Sequence, residues 1–154
     1  MFTLDESQIE VDEEVIHSDD DRDWEEAAEE CSTLFATWGC AKEDSYIYTY
    51  FKEFWEDIYE EYQDINWHHQ AYYKKFFMRH EERFYNSYQG TRPEEDIADS
   101  FSFFVMQPSE VAFQAEEIKD EKLAFFYGYD ELVDLRTEIL ENIFDLNKKD
   151  GEFY

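Results

Sequence analysis

A net charge of −28, built from 41 Asp and Glu against 13 Lys and Arg, is the condition any fold of this chain must meet. Like charges at that density repel one another and oppose compaction. Apolar burial must offset both this repulsion and the entropy of ordering the chain. The means are present: hydrophobic residues make up 43% and aromatics 20% of 154 positions, with 15 Phe, 12 Tyr and 4 Trp. That composition argues against general disorder and suits one domain with a real core. With 4 Gly and 2 Pro the chain is too poor in turn formers for a turn-rich β architecture, so helices with few interruptions are expected.

The charge also excludes classes of function. Nucleic acid, anionic membranes and acidic substrates are repelled as direct ligands, and a basic protein surface is the expected partner. Salt adaptation is the competing explanation, though the aromatic content exceeds what a purely salt-adapted surface requires. No run of about 18 apolar residues marks a membrane span. Met1 to Glu14 lacks the basic and apolar regions of a secretory signal. A cytoplasmic location is therefore expected, and with it free thiols at Cys31 and Cys40, although their spacing would permit a bridge in an oxidising compartment.

Residues 1–30 hold 14 acids and a single base, Arg22, and 1–22 read as an acidic, mobile arm. Residues 23–146 form one helical domain, and 147–154 a frayed tail. A first helix is expected from Asp23 to Phe35, then a loop over Thr37 to Asp44. The strongest helical pattern runs from Asp44 to Ile65, with Asp44 or Ser45 as cap. Ile47, Phe51, Phe54, Ile58 and Tyr62 recur there at spacings of three and four, one buried stripe. Glu53, Asp57, Glu60, Glu61 and Asp64 fall to one side of it, and carboxylates four apart sit ~6 Å apart along the axis. This row is the candidate partner-binding face; its bland alternative is a solvated helix surface.

A third helix, Trp67 to Tyr88, carries the basic cluster Lys74, Lys75, Arg79 and Arg83, expected to pair with the acidic helices. Thr91-Arg-Pro93-Glu94 has the capping-box form and opens a helix that stops at Pro108. Two more helices are expected at 115–127 and 130–144, separated by Gly128. The fold class is thus mainly α, a compact bundle of about five to six helices with an acidic N-terminal arm.

Catalytic constellations are missing. The histidines are His17, His68, His69 and His80. The segment His80-Glu-Glu-Arg-Phe84 starts like the His-Glu-x-x-His zinc helix, but Phe84 occupies the second imidazole position. A two-histidine site of His69 and His80 with Glu81 or Glu95 is the weaker alternative to ordinary core or surface histidines. Neither cysteine has an adjacent base, and there is no nucleophile elbow or Gly-rich phosphate loop. No cofactor is expected.

The stretch Tyr88-Gln-Gly-Thr-Arg-Pro-Glu-Glu-Asp-Ile-Ala-Asp-Ser-Phe-Ser-Phe-Phe-Val105 resembles the downstream helix of zincin metallopeptidases of the gluzincin type, whose pattern is Thr-x-Pro-Glu-Glu-Asp-hydrophobic-Ala-Glu-Ser-Phe. The run from Lys122 to Arg136 is similar to the segment C-terminal to that helix in the group. Cys31 to Cys40 and the Asp44 to Trp55 segment resemble the insertion that precedes the helix. The resemblance covers most of 1–144 and implies the helical C-terminal subdomain of a zincin. It places Glu95 at the third zinc ligand and Asp99 at a position usually Glu. It also places Met1 to Gln8 just after the catalytic helix, so that the His-Glu-x-x-His segment is absent from this chain. Catalytic zinc needs three protein ligands and a water. Glu95 is then an empty relic and the chain is not an enzyme on its own.

Two functions are expected on these grounds. The first is a non-catalytic acidic binding protein, a nucleic-acid mimic that inhibits a basic nucleic-acid-binding enzyme in the manner of phage-encoded anti-CRISPR or anti-restriction proteins. The second is the C-terminal fragment of a zinc metallopeptidase whose catalytic helix lies upstream.

Overall fold

The computed structural model describes residues 6–18, 21–65 and 69–151; for 21–23 and 147–151 only the backbone is described. Among these residues the chain is mainly helical, with nine α-helices and one three-stranded antiparallel sheet. No helix among them is long and apolar enough to cross a membrane.

The sheet has the order β1-β3-β2 and consists of β1 (Ile9–Val11), β2 (Phe35–Ala36) and β3 (Gly39–Ala41). Thr37 and Trp38 make the two-residue turn between β2 and β3, with Thr37 at φ +42°. Gly39 is required by its neighbours: a Cβ there would lie 1.9 Å from the carbonyl oxygen of Glu10, and its φ is +156°. That close approach lets β1 pair with β3, Ile9 opposite Ala41 and Val11 opposite Gly39. Ile9, Leu34, Ala36 and Ala41 then turn into the core. The loop expected over 37–44 thus contains the central strand, Gly39–Ala41, flanked by turns.

Part of the expected arm takes regular secondary structure. Besides β1, residues 1–22 supply α1 (Glu13–His17), whose N-cap Asp12 accepts from the amides of Glu14 and Val15 at 2.9 and 3.2 Å. Ile9 and Val15 are buried and dock this segment. Residues 1–5 and 19–20 lie outside the described residues. Helix α2 (Asp21–Glu30) stops short of the expected Phe35.

The expected helix over 44–65 is two helices. Ser45 caps α3 (Tyr46–Phe54), its Oγ accepting from the Tyr48 amide at 3.2 Å. Trp55 breaks the regular backbone at φ −129°, ψ −25°, and α4 (Glu56–Gln63) comes next. The stripe itself forms: Ile47, Phe51, Phe54 and Ile58 are buried, and Tyr62 packs edge-on to Trp55. Neither Gly nor Pro marks the break; Trp55 leaves the helix to send its indole into the core.

Helix α5 (Gln70–Arg79) is much shorter than 67–88. It ends at His80 and gives way to two 3₁₀ turns, Glu81–Arg83 and Gln89–Thr91. The carbonyl of Arg83 accepts a hydrogen bond from Lys122 Nζ at 2.6 Å and is turned toward that residue. Helix α6 (Pro93–Met106) starts where Pro93 predicts, but without the capping box. Arg92 is its N-cap and gives no side-chain bond, while Thr91 Oγ1 donates to the Tyr88 carbonyl at 2.6 Å. Glu94, Glu95 and Asp96 supply negative charge at the positive end of the helix dipole.

Helix α8 (Ile118–Phe126) forms within the expected 115–127, and a short helix not expected from the sequence, α7 (Ser109–Phe113), precedes it. Helix α9 (Asp130–Gly151) carries the backbone through most of the expected frayed tail, since nothing between Asp130 and Asp150 breaks a helix. Arg136 crosses from α9 to the C-terminus of α6 and donates to the carbonyls of Phe104 and Gln107 at 2.8 and 3.0 Å. A guanidinium there satisfies carbonyls that have no partner within the helix.

Gly39→Ala should destabilise the fold by ~2–3 kcal/mol, from strain at positive φ and displacement of β1. Urea unfolding followed by far-UV circular dichroism measures the loss; an unchanged midpoint would contradict the close approach of β1.

Candidate functional site

The largest concentration of polar chemistry lies in the middle of the molecule. Asp96 on α6 and Lys122 on α8 are both fully buried and pair at 2.5 Å. The same oxygen, Asp96 Oδ2, accepts from Trp55 Nε1 at 2.8 Å and from the Tyr50 hydroxyl at 3.0 Å. Ser100 lies one turn after Asp96 and is 3.4 Å from Oδ1, and Gln89 Nε2 reaches Ser100 Oγ at 3.4 Å. Lys122 Nζ also lies 4.4 Å from the centroid of the Phe84 ring. Burial pushes Asp96 up and Lys122 down from their usual ranges, while the attraction between them works against both shifts. With its acceptors filled and no exposed surface, this carboxylate fastens α3, α6 and α8 together and has no access to a substrate.

Sequence reasoning misses this pair. The sequence hides it: Lys122 ends the charged run Lys119-Asp-Glu-Lys122, and only the run Leu123-Ala-Phe-Phe126 that follows marks it as standing at the edge of an apolar segment.

The candidate acidic row is divided by the break at Trp55, with Glu53 on α3 and the other four on or just after α4. Two of its members are held by cations. Arg83 grips Asp57 with both terminal nitrogens, at 3.0 and 2.5 Å, and donates to the Phe54 carbonyl at 3.1 Å. Arg79 pairs with Glu61, whose second oxygen lies 3.0 Å from His80 Nε2. The expected internal pairing of the basic cluster therefore holds for Arg79 and Arg83. Lys75 instead lies 5.7 Å from the Tyr72 ring centroid, and Lys74 is exposed. Burial, then the nearby Glu121, pushes the Glu53 carboxyl up. Glu60 and Asp64 face solvent with no ion pair among the described residues.

Glu95 occupies the first turn of α6, half-buried, on the one stripe of that helix that faces outward together with Asp99 and Ser102. The Tyr88 hydroxyl bonds to it, which raises the Tyr88 pKa. Asp99 accepts from Asn86 Nδ2 at 2.6 Å. The alternative two-histidine site does not assemble. His80 is committed to Glu61 and the Phe76 ring, and His69 lies against Tyr72. Among the described residues no group of three or more His, Cys, Asp or Glu could hold a metal ion. His17 ends α1 and is exposed, and His68 lies outside the described residues.

The expectation of free thiols is corrected: Cys31 and Cys40 are joined, with Cα atoms 5.7 Å apart. The hairpin that stands in place of the expected loop brings Cys40 back beside the end of α2.

The densest acidic surface is the N-terminal layer. Glu10, Glu13, Glu14, Glu25, Glu26 and Glu29 are exposed there, and no Lys or Arg side chain is described between residues 6 and 41. Glu94 is the contrasting case, a carboxyl nearly sealed at the start of α6. It accepts from Thr37 Oγ1 at 3.2 Å. Burial pushes its pKa up, more than the Thr37 bond and Arg92 pull it down.

No protein-family model matches the chain, and neither a curated protein nor a solved structure does.

Lys122→Met should cost ~3–5 kcal/mol, because it leaves a buried carboxylate without its cation. Asp96→Asn added to it should recover more than half of that loss, as read by urea midpoints. At Glu94 the native state holds its proton over a pH range in which the unfolded chain releases it. The stability contributed there is full below the unfolded value, ~4.3, and is lost as pH rises through the raised folded value. Glu94→Gln should therefore melt higher than the parent at pH 7, and the gap should close toward pH 4; an equal gap at both pH values would refute the assignment.

Proposed function

We propose that the chain is a non-catalytic acidic binding protein whose exposed carboxylates take the basic surface of a partner. One observation carries the reading: the cations are disproportionately used inside the molecule while the carboxylates face out. Lys122 is fully buried, and Arg83 and Arg136 donate to carbonyls of α3 and α6. Carboxylates cover the exposed faces of α1, α2, α4 and α9, and the exposed cations gather mostly on α5.

In its finer form the partner is a nucleic-acid-binding enzyme and the acidic surface stands in for a duplex. A duplex carries one charge per ~1.7 Å of axis. With Asp57 and Glu61 neutralised, α4 offers Glu56, Glu60 and Asp64 at one per ~6 Å. That spacing is too sparse for α4 alone, so the N-terminal layer has to contribute. The chain would occupy a basic groove and exclude nucleic acid, as anti-restriction and anti-CRISPR inhibitors do.

A second reading, the C-terminal part of a zinc metallopeptidase, is favoured by Glu95. Its place on the outward stripe of α6, beside Asp99, suits a carboxylate awaiting ligands from another segment. An in-frame His-Glu-x-x-His segment upstream in the gene would support it, together with peptidase activity of the longer chain that is lost in Glu95→Gln.

The first reading predicts that the immobilised chain retains at least one enzyme from a panel of basic nucleases and that duplex DNA competes for it. Affinity should fall ten-fold or more between 50 and 300 mM salt, as steered charge pairing requires (~8 Å screening at physiological ionic strength). Retention of no basic partner, or binding indifferent to salt, would refute it.

A further inference from the structure

We propose that the Cys31–Cys40 disulfide is a redox latch that holds α2 against the sheet, and that its reduction releases α2 and opens the acidic cleft between α1 and α2. The latch is independent of what the acidic surface binds.

Helix α2 is poorly held by anything else. From Trp24 to Glu30 no side chain is fully buried. Its ring contact to the rest of the protein is Trp24 edge-on to Phe35, centroids 5.3 Å apart. Electrostatics oppose its docking. Asp12 and Glu14 on the α1 side face Glu26 and Glu30 on α2 across a cleft lined, among the described residues, by no Lys or Arg side chain. Like charges facing one another at this range repel, and water screens them only in part.

The covalent link is placed where it counters this force. Cys31 directly follows the last residue of α2, and Cys40 sits in the central strand, paired with both Glu10 and Phe35. Two residues past Cys31 the chain is anchored without the disulfide. Thr33 Oγ1 donates to the Ala41 carbonyl at 2.6 Å and Leu34 is buried. The released segment therefore ends at residue 32, and the sheet and helical core stay in place. Both cysteines are half-exposed and Cys40 lines an open groove, so a reductant can reach the bond. A dithiol reductant donates two electrons and two protons. The sulfur–sulfur bond breaks, Cys31 and Cys40 become thiols, and the reductant closes to its own disulfide.

Hydrogen exchange of the full chain, oxidised and after dithiothreitol, tests this with thiol titration as the check on redox state. Two thiols should appear only after reduction. Amides of 21–32 should then exchange at least ten-fold faster, with those of α6 and α8 unchanged, and 1 M NaCl should reduce the acceleration. Cys31→Ser should show the reduced pattern without reductant. Four outcomes overturn the latch: thiols already free in the air-oxidised protein, unchanged exchange over 21–32 after reduction, acceleration spread equally to α6 and α8, or acceleration insensitive to salt.

Discussion

Helices α3, α6 and α8 meet at one carboxylate oxygen. Asp96 Oδ2 takes the Lys122 ammonium, the Trp55 indole N–H and the Tyr50 hydroxyl, so α6 is tied to α8 and twice to the α3–α4 corner. The same ammonium holds the Arg83 carbonyl and with it the turn that ends the α5 region. Removing two charges from water costs several kcal/mol per ion even after relaxation, and a lone salt bridge seldom returns more than that. Here the shared donors and the ring beneath Nζ supply the remainder. The pair selects one arrangement: any packing of these aromatic helices that separated Asp96 from Lys122 would leave a naked charge in the core. Aromatic surfaces pack in many ways, and the pair discriminates among them.

The charge of the molecule is organised around the same economy of cations. Arginine is placed where it satisfies several acceptors at once. Arg83 serves Asp57 and the Phe54 carbonyl, and Arg136 serves the last carbonyls of α6. With so few bases, this leaves most carboxylates to be handled by water. Acids cluster at helix starts, where the dipole favours them: Glu13 and Glu14 on α1, Glu56 and Asp57 on α4, Glu94 to Asp96 on α6. The end of α2 is joined to the central strand by the Cys31–Cys40 bond.

Local signals are legible in the sequence, and non-local ones are not. The stripe Ile47, Phe51, Phe54, Ile58 is a local pattern and is buried as expected. Pro93 fixes the start of α6 by its own ring. The break at Trp55 is illegible because its cause, Asp96, lies 41 residues away. The end of α5 depends on Lys122 in the same way. Strands of two or three residues are too short to show a period of two, which hides the sheet and with it the joining of the cysteines. In the acidic row the carboxylates are visible, but not which of them Arg79 and Arg83 claim. The spacing of the basic cluster shows only that some pairing occurs.

The two functional readings make their demands on different faces of one core. A mimic requires carboxylates fixed by packed helices, and α4 meets that requirement through Ile58, the Tyr62–Trp55 contact and the Arg83 clamp on Asp57. A peptidase part requires the outward stripe of α6, Glu95 with Asp99 and Ser102, to be completed by other residues. Tyr88 and Asn86 already orient those two carboxylates. Both carboxylates lie on that one face, where in the second reading a neighbouring segment would meet them. Charge reversal at Glu56 and Glu60 leaves that face intact, and neutralising Glu95 leaves α4 intact. The core that Asp96 and Lys122 specify supports both surfaces without coupling them. Each reading can therefore fail alone.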